Sequence, residues 1–435
     1  MNARRSAAAL AVSVVLGAAL APVAFADGSL HRDTPKPRES ALPKALYGSA
    51  DPRFDGVWRQ SLAILAQDAS GLTPPPAAVE WLAGQQCEDG GFAAYRPKTT
   101  APCDPEKDEF SDATAAAVQA LASVGGRGAV VEKGVNWLKR HQNDDGGWGM
   151  NPGGPSDANS TATVIGAFAA TGQDPARVTS AKGGKSPYDA LLALQLGCDA
   201  GEDERGAFAY QPDKGELHAN PLATTAAALA AHGKGFVFDV PEGDEPVAAP
   251  SCADRNGDDG KARRDPGDGA DAASAYLSAV LAGNGQHLNS AMPGQEDQPD
   301  VGGTADAVLA LAAGGHRDAA AKPLTWLTGK EAGAVAWAKD QPAALAKLIL
   351  ASRAAGADPR DFGGTDLLRA LGETGPGTGT PAPDPSGTEK EKKDDKDDKD
   401  DDGNGGYGVW WIVGVGAVAG IGIGFLLSGR KKQQF

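Results

Sequence analysis

Basic residues are in the minority in this chain. Lys and Arg number 41 against 57 Asp and Glu, a formal net charge of −16 over 435 residues. No basic stripe exists to neutralise phosphates and release their counterions, so nucleic acid is excluded as a partner. Cysteine is scarce, with four in all, and no two stand at the C-x-x-C spacing that a zinc site wants. His141, His232, His287 and His316 are scattered and read as surface or helix-end residues, so no metal site is expected.

Long apolar runs are confined to the two ends. Residues 1–26 read as a signal peptide: Arg4-Arg5, an apolar stretch from Ala7 to Ala21, then Ala24-Phe25-Ala26. The rest of a twin-arginine pattern is missing, which favours the general export route. Residues 408–428 are long and apolar enough to span a bilayer, with Trp410 and Trp411 at one edge. The basic tail 429–435, with Arg430-Lys431-Lys432, then stays inside. The expected product is exported and anchored in the plasma membrane by one C-terminal helix, its body extracellular. Residues 27–52 read as an extended lead-in and 53–372 as the folded body. Residues 373–407 read as a disordered acidic stalk, where Gly, Pro and Thr give way to alternating Asp and Lys. Export makes disulfides the natural state of the cysteines, and nearest neighbours pair as Cys87–Cys103 and Cys198–Cys252. Residues 254–260 space oxygen donors as a calcium loop does. Asp259 stands where such a loop needs Gly, and the twelfth position is Asp265, so the segment reads as an acidic insertion.

Within the body one pattern recurs at roughly 55-residue intervals, the signature of a repeat architecture. Its clearest copy is Trp137-Leu138, Gln142, Gly146-Gly147-Trp148. An earlier copy is Trp81-Leu82, Gln86, Gly90-Gly91-Phe92, and a looser one is Leu191-Leu192, Gln195, Gly206-Ala207-Phe208. Each reads as a helix, a Gln at its end, and a Gly turn that folds an aromatic back onto the helix. Helices of this type are expected at 77–86, 131–142, 186–196, 272–282, 321–328 and 365–371. Ala-rich helices alternate with them at 57–67, 112–123, 159–170, 222–231, 304–313 and 343–354. Asp112, Asn159 and Thr304 suit N-caps; Gly125, Gly172, Gly233, Gly314 and Gly356 suit stops. Six of each type make an open solenoid or a closed ring, and the count favours closure.

Lys133-Gly134, Trp137-Leu138, Gln142, Gly146 and Trp148 resemble the QW motif of the terpenoid cyclase and protein prenyltransferase superfamily of α/α toroids. The resemblance covers residues 53–372. It implies an all-α fold of about six inner and outer helix pairs, with the Ala-rich helices lining the centre. It also implies that Gln86, Phe92, Trp137, Gln142, Trp148 and Phe208 hold the fold rather than a substrate.

The chain departs from the catalytic members of that superfamily. Where the cyclases carry D-x-D-D-T, the matching helix start is Ser111-Asp112-Ala113-Thr114, with a single carboxylate. No acidic cluster opens an inner helix to hold diphosphate and magnesium. No Cys lies beside a His as in the zinc site of the prenyltransferases, and the G-C-G-E-Q thioester segment is absent. No catalytic residue and no resident cofactor is therefore expected. Exported toroids without catalytic groups are known among the vitamin B12 carriers, to which this chain is similar, although their small β-rich covering domain is not visible here. The implied function is a membrane-tethered ligand-binding or uptake-accessory protein. Cobalamin is its candidate ligand, or another small hydrophobic or vitamin ligand, and a membrane transporter its partner. A terpenoid cyclase or prenyltransferase-type enzyme is the first alternative, a cell-envelope interaction scaffold the second. A ligand would meet the rim where inner helices begin and their N–H groups converge; Asp112, Asp157, Asn159, His218, Asn220 and Thr304 are placed there. A deep apolar cavity with a carboxylate would favour an enzyme, a polar shallow bowl a carrier, and a filled core a scaffold.

Overall fold

The computed structural model describes residues 42–105, 107–249, 265–291 and 294–382. The expected signal peptide, transmembrane helix and basic tail lie outside these, as do Cys252, the segment 254–260 and most of the stalk. None of the described helices is long and apolar enough to cross a membrane.

Six helices form an inner set: α1 (Gly56–Asp68), α3 (Ser111–Val124), α5 (Ala158–Ala170), α7 (Pro221–Ala231), α9 (Val301–Ala313) and α12 (Pro342–Ala354). Each packs on the next in chain order, and α12 packs back on α1, so the ring closes. Outside them lie α2 (Pro76–Gly84), α4 (Gly128–Arg140), α6 (Pro187–Ala193), α8 (Pro266–Gly283), α10 (Arg317–Thr328) and α13 (Leu367–Glu373), each against the inner helix beside it in sequence. All twelve expected helices are present. The short α11 (Ala334–Ala338) was not anticipated.

The two sets differ in burial for a simple reason. An inner helix has neighbours on both sides and an outer helix over it, so it is apolar almost all round. Every residue of α9 except Asp306 is buried. In α4 only Gly134, Val135, Trp137 and Leu138 are buried, one stripe of an amphipathic helix. Small alanines let the inner helices approach closely, and Trp137, Trp148, Phe92 and Phe208 fill the space between the layers without any exposed surface.

The repeated turn ties one outer helix to the next. Gln86 Nε2 donates to Gly90 O in its own turn (3.1 Å) and to Val130 O at the start of α4 (2.8 Å). Gln195 does the same to Gly206 O (3.2 Å) and to Gly269 O of α8 (2.7 Å). Gln142 donates to Gly146 O (2.8 Å). Gly146 is required at its position on two counts. Its φ is +95°, and a Cβ there would lie 2.2 Å from Ser186 O, ahead of α6. After the turn, the aromatic's own N–H donates to a threonine hydroxyl one turn inside the following inner helix: Phe92 to Thr114, Trp148 to Thr161 and Phe208 to Thr224. Leu288 repeats this with Thr304. These threonines form a recurrent element that the turn pattern alone does not announce.

Several local expectations are corrected. Asp112 and Asn159 each lie inside the first turn, not at the cap. Asp157 caps α5, and α3 opens after Phe110 with no side-chain cap. Asp300 caps α9, and Thr304 is buried one turn further on. The left-handed stop after α9 is Gly315 (φ +79°) rather than Gly314. The packed body also extends beyond 53–372. Tyr47 is buried with its N–H on Gln60 Oε1, and Thr380–Pro381 pairs antiparallel with Leu72–Thr73. Cys87 and Cys103 are bridged as expected. Cys198 is disulfide-bonded, and its expected partner, Cys252, lies outside the described residues.

Candidate functional site

The ring encloses a cavity of about 330 Å3. Its walls come from five inner helices: Trp58 and Leu62 of α1, Asn159 and Thr163 of α5, Leu222 and Leu229 of α7, Leu309 of α9, and Leu350 of α12. Gly302, Gly303 and Ala305 supply so little side chain that the centre stays open. Residues of the first helical turns, Asn159, Gly302 and Gly303, together with the cap Asp300, form its mouth.

The opposite side is closed by residues 234–240, which cross the ring after α7. Phe236 meets Trp58 edge-on, with centroids 5.8 Å apart. Its N–H donates to Gln119 Oε1 (2.9 Å), while Gln119 Nε2 donates to Thr163 O (3.1 Å). Gly235 passes so close that a Cβ would lie 2.4 Å from Gln119 Oε1.

One ion pair lies in this apolar space. Lys347 Nζ of α12 stands 2.5 Å from Asp306 Oδ2 of α9, the two side chains keeping 28% and 34% of their surface open. Both side chains line the cavity. Removal from water accordingly raises the Asp306 pKa, and the Lys347 ammonium opposes the shift. Paired in this way, Asp306 accepts a hydrogen bond and Lys347 donates it. Neither residue was among the rim candidates. The available signal was their type, since Asp306 is the one charged residue of α9.

Three of the six rim candidates gather where α3 and α5 begin. Asp157 accepts from Ser160 N (2.8 Å) and Ser160 Oγ (2.9 Å). Asp112 shares Ser160, and burial, with help from the charge of Asp157, pushes its pKa up to about 6. One carboxylate oxygen of Asp112 and the Oδ1 of Asn159 are buried without a hydrogen-bond partner. Of the three, Asn159 reaches the cavity wall. The others do not converge. Asn220 caps α7 by accepting from Ala223 N, Thr304 is spent on Leu288 N and Asp300 O, and His218 lies in the loop before α7.

Two groups of metal-ligand type occur among the described residues. Cys87, Cys103 and Glu109 form one, but its sulfurs are joined to each other. His232, Asp271 and His316 form the other. His232 and His316 are helix-end residues, as expected, but they are not scattered: the packing of α9 on α7 brings them together.

No protein-family model matches the chain, and no curated protein matches it. Among solved structures it is similar to ent-copalyl diphosphate synthase from Streptomyces platensis, at 21% identity over 69% of this chain and 50% of that one, with a TM-score of 0.42. It is similar to a protein from Actinoplanes at 16% identity over 73% and 95% of the two chains, with a TM-score of 0.41. The type II terpene cyclase MstE from Scytonema follows at 14% identity over 66% and 74%, with a TM-score of 0.39. The chain thus spans half the length of the copalyl diphosphate synthase. The closed ring stands on its own helix contacts.

Proposed function

We propose that the chain is a binding protein that takes a small, mainly apolar molecule bearing one polar group into the centre of its ring. The observation that carries this reading is the apolar cavity of about 330 Å3 whose one ion pair is Asp306–Lys347. Ligand pockets run from about 300 to 1,000 Å3, mostly apolar with a few polar groups that fix orientation. A filled core would have suited a scaffold; this centre is open, and its Asp306 carboxylate, which alone would favour an enzyme, is engaged by Lys347 in an ion pair. Cobalamin, the ligand suggested by the resemblance, is bulkier than such a space and would have to rest over the mouth, against Asn159 and Asp300. Export and tethering belong to the same proposal. The Cys87–Cys103 bridge suits an oxidising compartment, and the apolar run 408–428 with its basic tail would hold the ring at the outer face of a membrane, beside a transporter able to receive the ligand.

An apolar fluorescent probe tests the reading. The wild-type chain is expected to bind one equivalent, and Leu222→Trp, which fills the cavity, is expected to abolish binding without unfolding the ring. Phe236→Ala, which opens the floor, should admit a larger probe. Equal binding by wild type and Leu222→Trp, or none by either, removes the proposal. Cobalamin in a parallel titration separates a bound corrinoid from a ligand held within the ring.

One observation favours the enzyme as a second reading: Asp112, with its raised pKa and an unpartnered oxygen, has the character of a held proton. Turnover of a prenyl diphosphate by the wild type, lost in Asp112→Asn, would establish it.

A further inference from the structure

Away from the cavity, where α7 and α9 end, two imidazoles face each other. His232 follows the last residue of α7, and His316 precedes α10. Their ring centroids are 6.4 Å apart. The Nε2 atom of each is buried and has no hydrogen-bond partner. A buried nitrogen without a partner is costly, and each instance requires a cause.

The protein has fixed the state of one ring. His316 Nδ1 lies 2.7 Å from the backbone carbonyl of Glu245. A carbonyl only accepts, so Nδ1 carries a proton, and in the neutral imidazole Nε2 is the nitrogen left with the lone pair. This is the arrangement found around metal-bound histidines, where the second nitrogen is held by a carbonyl or carboxylate. Glu245 is itself held in place, with its N–H on Gly315 O (3.0 Å). The exposed carboxylate of Asp271, on α8, completes the group: one ligand atom from each of the three residues lies within 4.8 Å of the other two.

Gly314 points the same way. Its φ of −80° is open to any residue, so no backbone demand explains the glycine. Space does: a Cβ there would lie 2.7 Å from His232 Nε2 and 2.8 Å from His316 Cδ2. The position keeps clear the ground between the two rings.

We propose that His232 Nε2, His316 Nε2 and an Asp271 oxygen form a binding site for a divalent transition-metal ion of the zinc class. Two imidazoles and one carboxylate suit such an ion, with the remaining position left to water. Metal–nitrogen bonds of about 2.0–2.1 Å put neighbouring ligand atoms about 3.3 Å apart, a distance that small ring and carboxylate rotations supply. The bound ion would join the ends of α7 and α9 to α8. Through Glu245 it would also steady the segment that carries Phe236 across the ring.

The experiment uses the purified full chain without a histidine tag, stripped with chelator and titrated with zinc against a chromogenic chelator, and with cobalt followed by its visible absorption. Wild type is expected to take one equivalent with cobalt bands of a low-coordinate nitrogen and oxygen site. Asp271→Asn, at an exposed position that leaves packing untouched, should weaken zinc at least about tenfold. His232→Gln should abolish the cobalt bands, and Gly314→Ala should weaken the site by crowding both rings. Circular dichroism confirms that each variant is folded; should His232→Gln fail to fold, Asp271→Asn and Gly314→Ala decide alone. Absence of a tight equivalent in wild type, or zinc held equally by wild type and Asp271→Asn, overturns the proposal.

Discussion

Lys347 of α12 meets Asp306 of the neighbouring inner helix α9 at the wall of the apolar centre, 2.5 Å from nitrogen to oxygen. A pair of this kind is a weak source of stability, because desolvation offsets much of the attraction. Breaking it is another matter, since one charge is then left without a partner. Lys347→Met is expected to cost about 2 kcal/mol or more, less than a fully dry pair because water enters by the mouth. Lys347→Met combined with Asp306→Asn should recover most of that loss. Urea unfolding of the two single variants and the double variant measures the coupling. Additive losses would show that the two groups do not sense each other.

The Trp148 N–H donates to Thr161 Oγ1 at 3.1 Å, with both residues buried. Thr161→Val keeps the shape and removes the acceptor, leaving a backbone donor unsatisfied between the layers. The expected cost is about 1–3 kcal/mol. Thr224→Val, at the equivalent place beneath Phe208, should cost a similar amount. A loss well under 0.5 kcal/mol (~0.5 being the usual scatter of neutral surface changes) in both variants would mean that the repeated threonine is incidental.

The ring was legible because the two helix types differ in composition and a Gly-aromatic turn separates them, so each of the twelve expected segments overlaps an observed helix. Helix starts were harder. Asp112, Asn159 and Thr304 have capping side chains, but Asp157 and Asp300 lie upstream and take that role. The centre was not legible. Asp306 and Lys347 meet only because α9 and α12 become neighbours once α10 and α11 are laid outside them. His232 and His316 likewise meet only in the folded ring. No local pattern encodes such encounters; a lone charge on an otherwise apolar helix was the one available cue.

Asp112 links the fold to pH. Its pKa in the fold, about 6, lies above the ordinary 3.8, chiefly through burial. The folded chain thus holds this proton more tightly than the unfolded one. The associated stability is complete below pH 3.8 and is lost as pH rises through about 6. Asp112→Asn should therefore be the more stable protein at pH 7, by up to about 3 kcal/mol, the free energy that separates the two proton affinities. The advantage should vanish below pH 3.8. Thermal unfolding across that range decides, and a variant less stable than wild type at pH 7 would show that Asp112 is ionised and well solvated.

Glu109 and Trp137 give a second titration that can be watched at one atom. The indole Nε1–H of Trp137 donates to Glu109 Oε2 (2.6 Å) and to Asp89 Oδ2 (3.1 Å). Burial, then the neighbouring charge of Asp89, raises the Glu109 pKa to about 7, against which the indole hydrogen bond pulls only weakly. Two carboxylates sharing one donor resist ionising together. The indole proton should therefore shift with a midpoint near pH 7, although tryptophan does not itself titrate. Glu109→Gln preserves an acceptor and removes the charge, so its indole signal should stay flat through that range. The sign for stability follows from the raised pKa. Glu109 supports the fold fully below pH 4.5 and loses that contribution as pH passes 7, so Glu109→Gln should gain on wild type at alkaline pH and match it in acid. Nuclear magnetic resonance of the Trp137 indole with unfolding at two pH values tests both parts. A midpoint at the ordinary carboxylate value would mean that the buried pair is open to water and that the seam between α3 and α4 breathes.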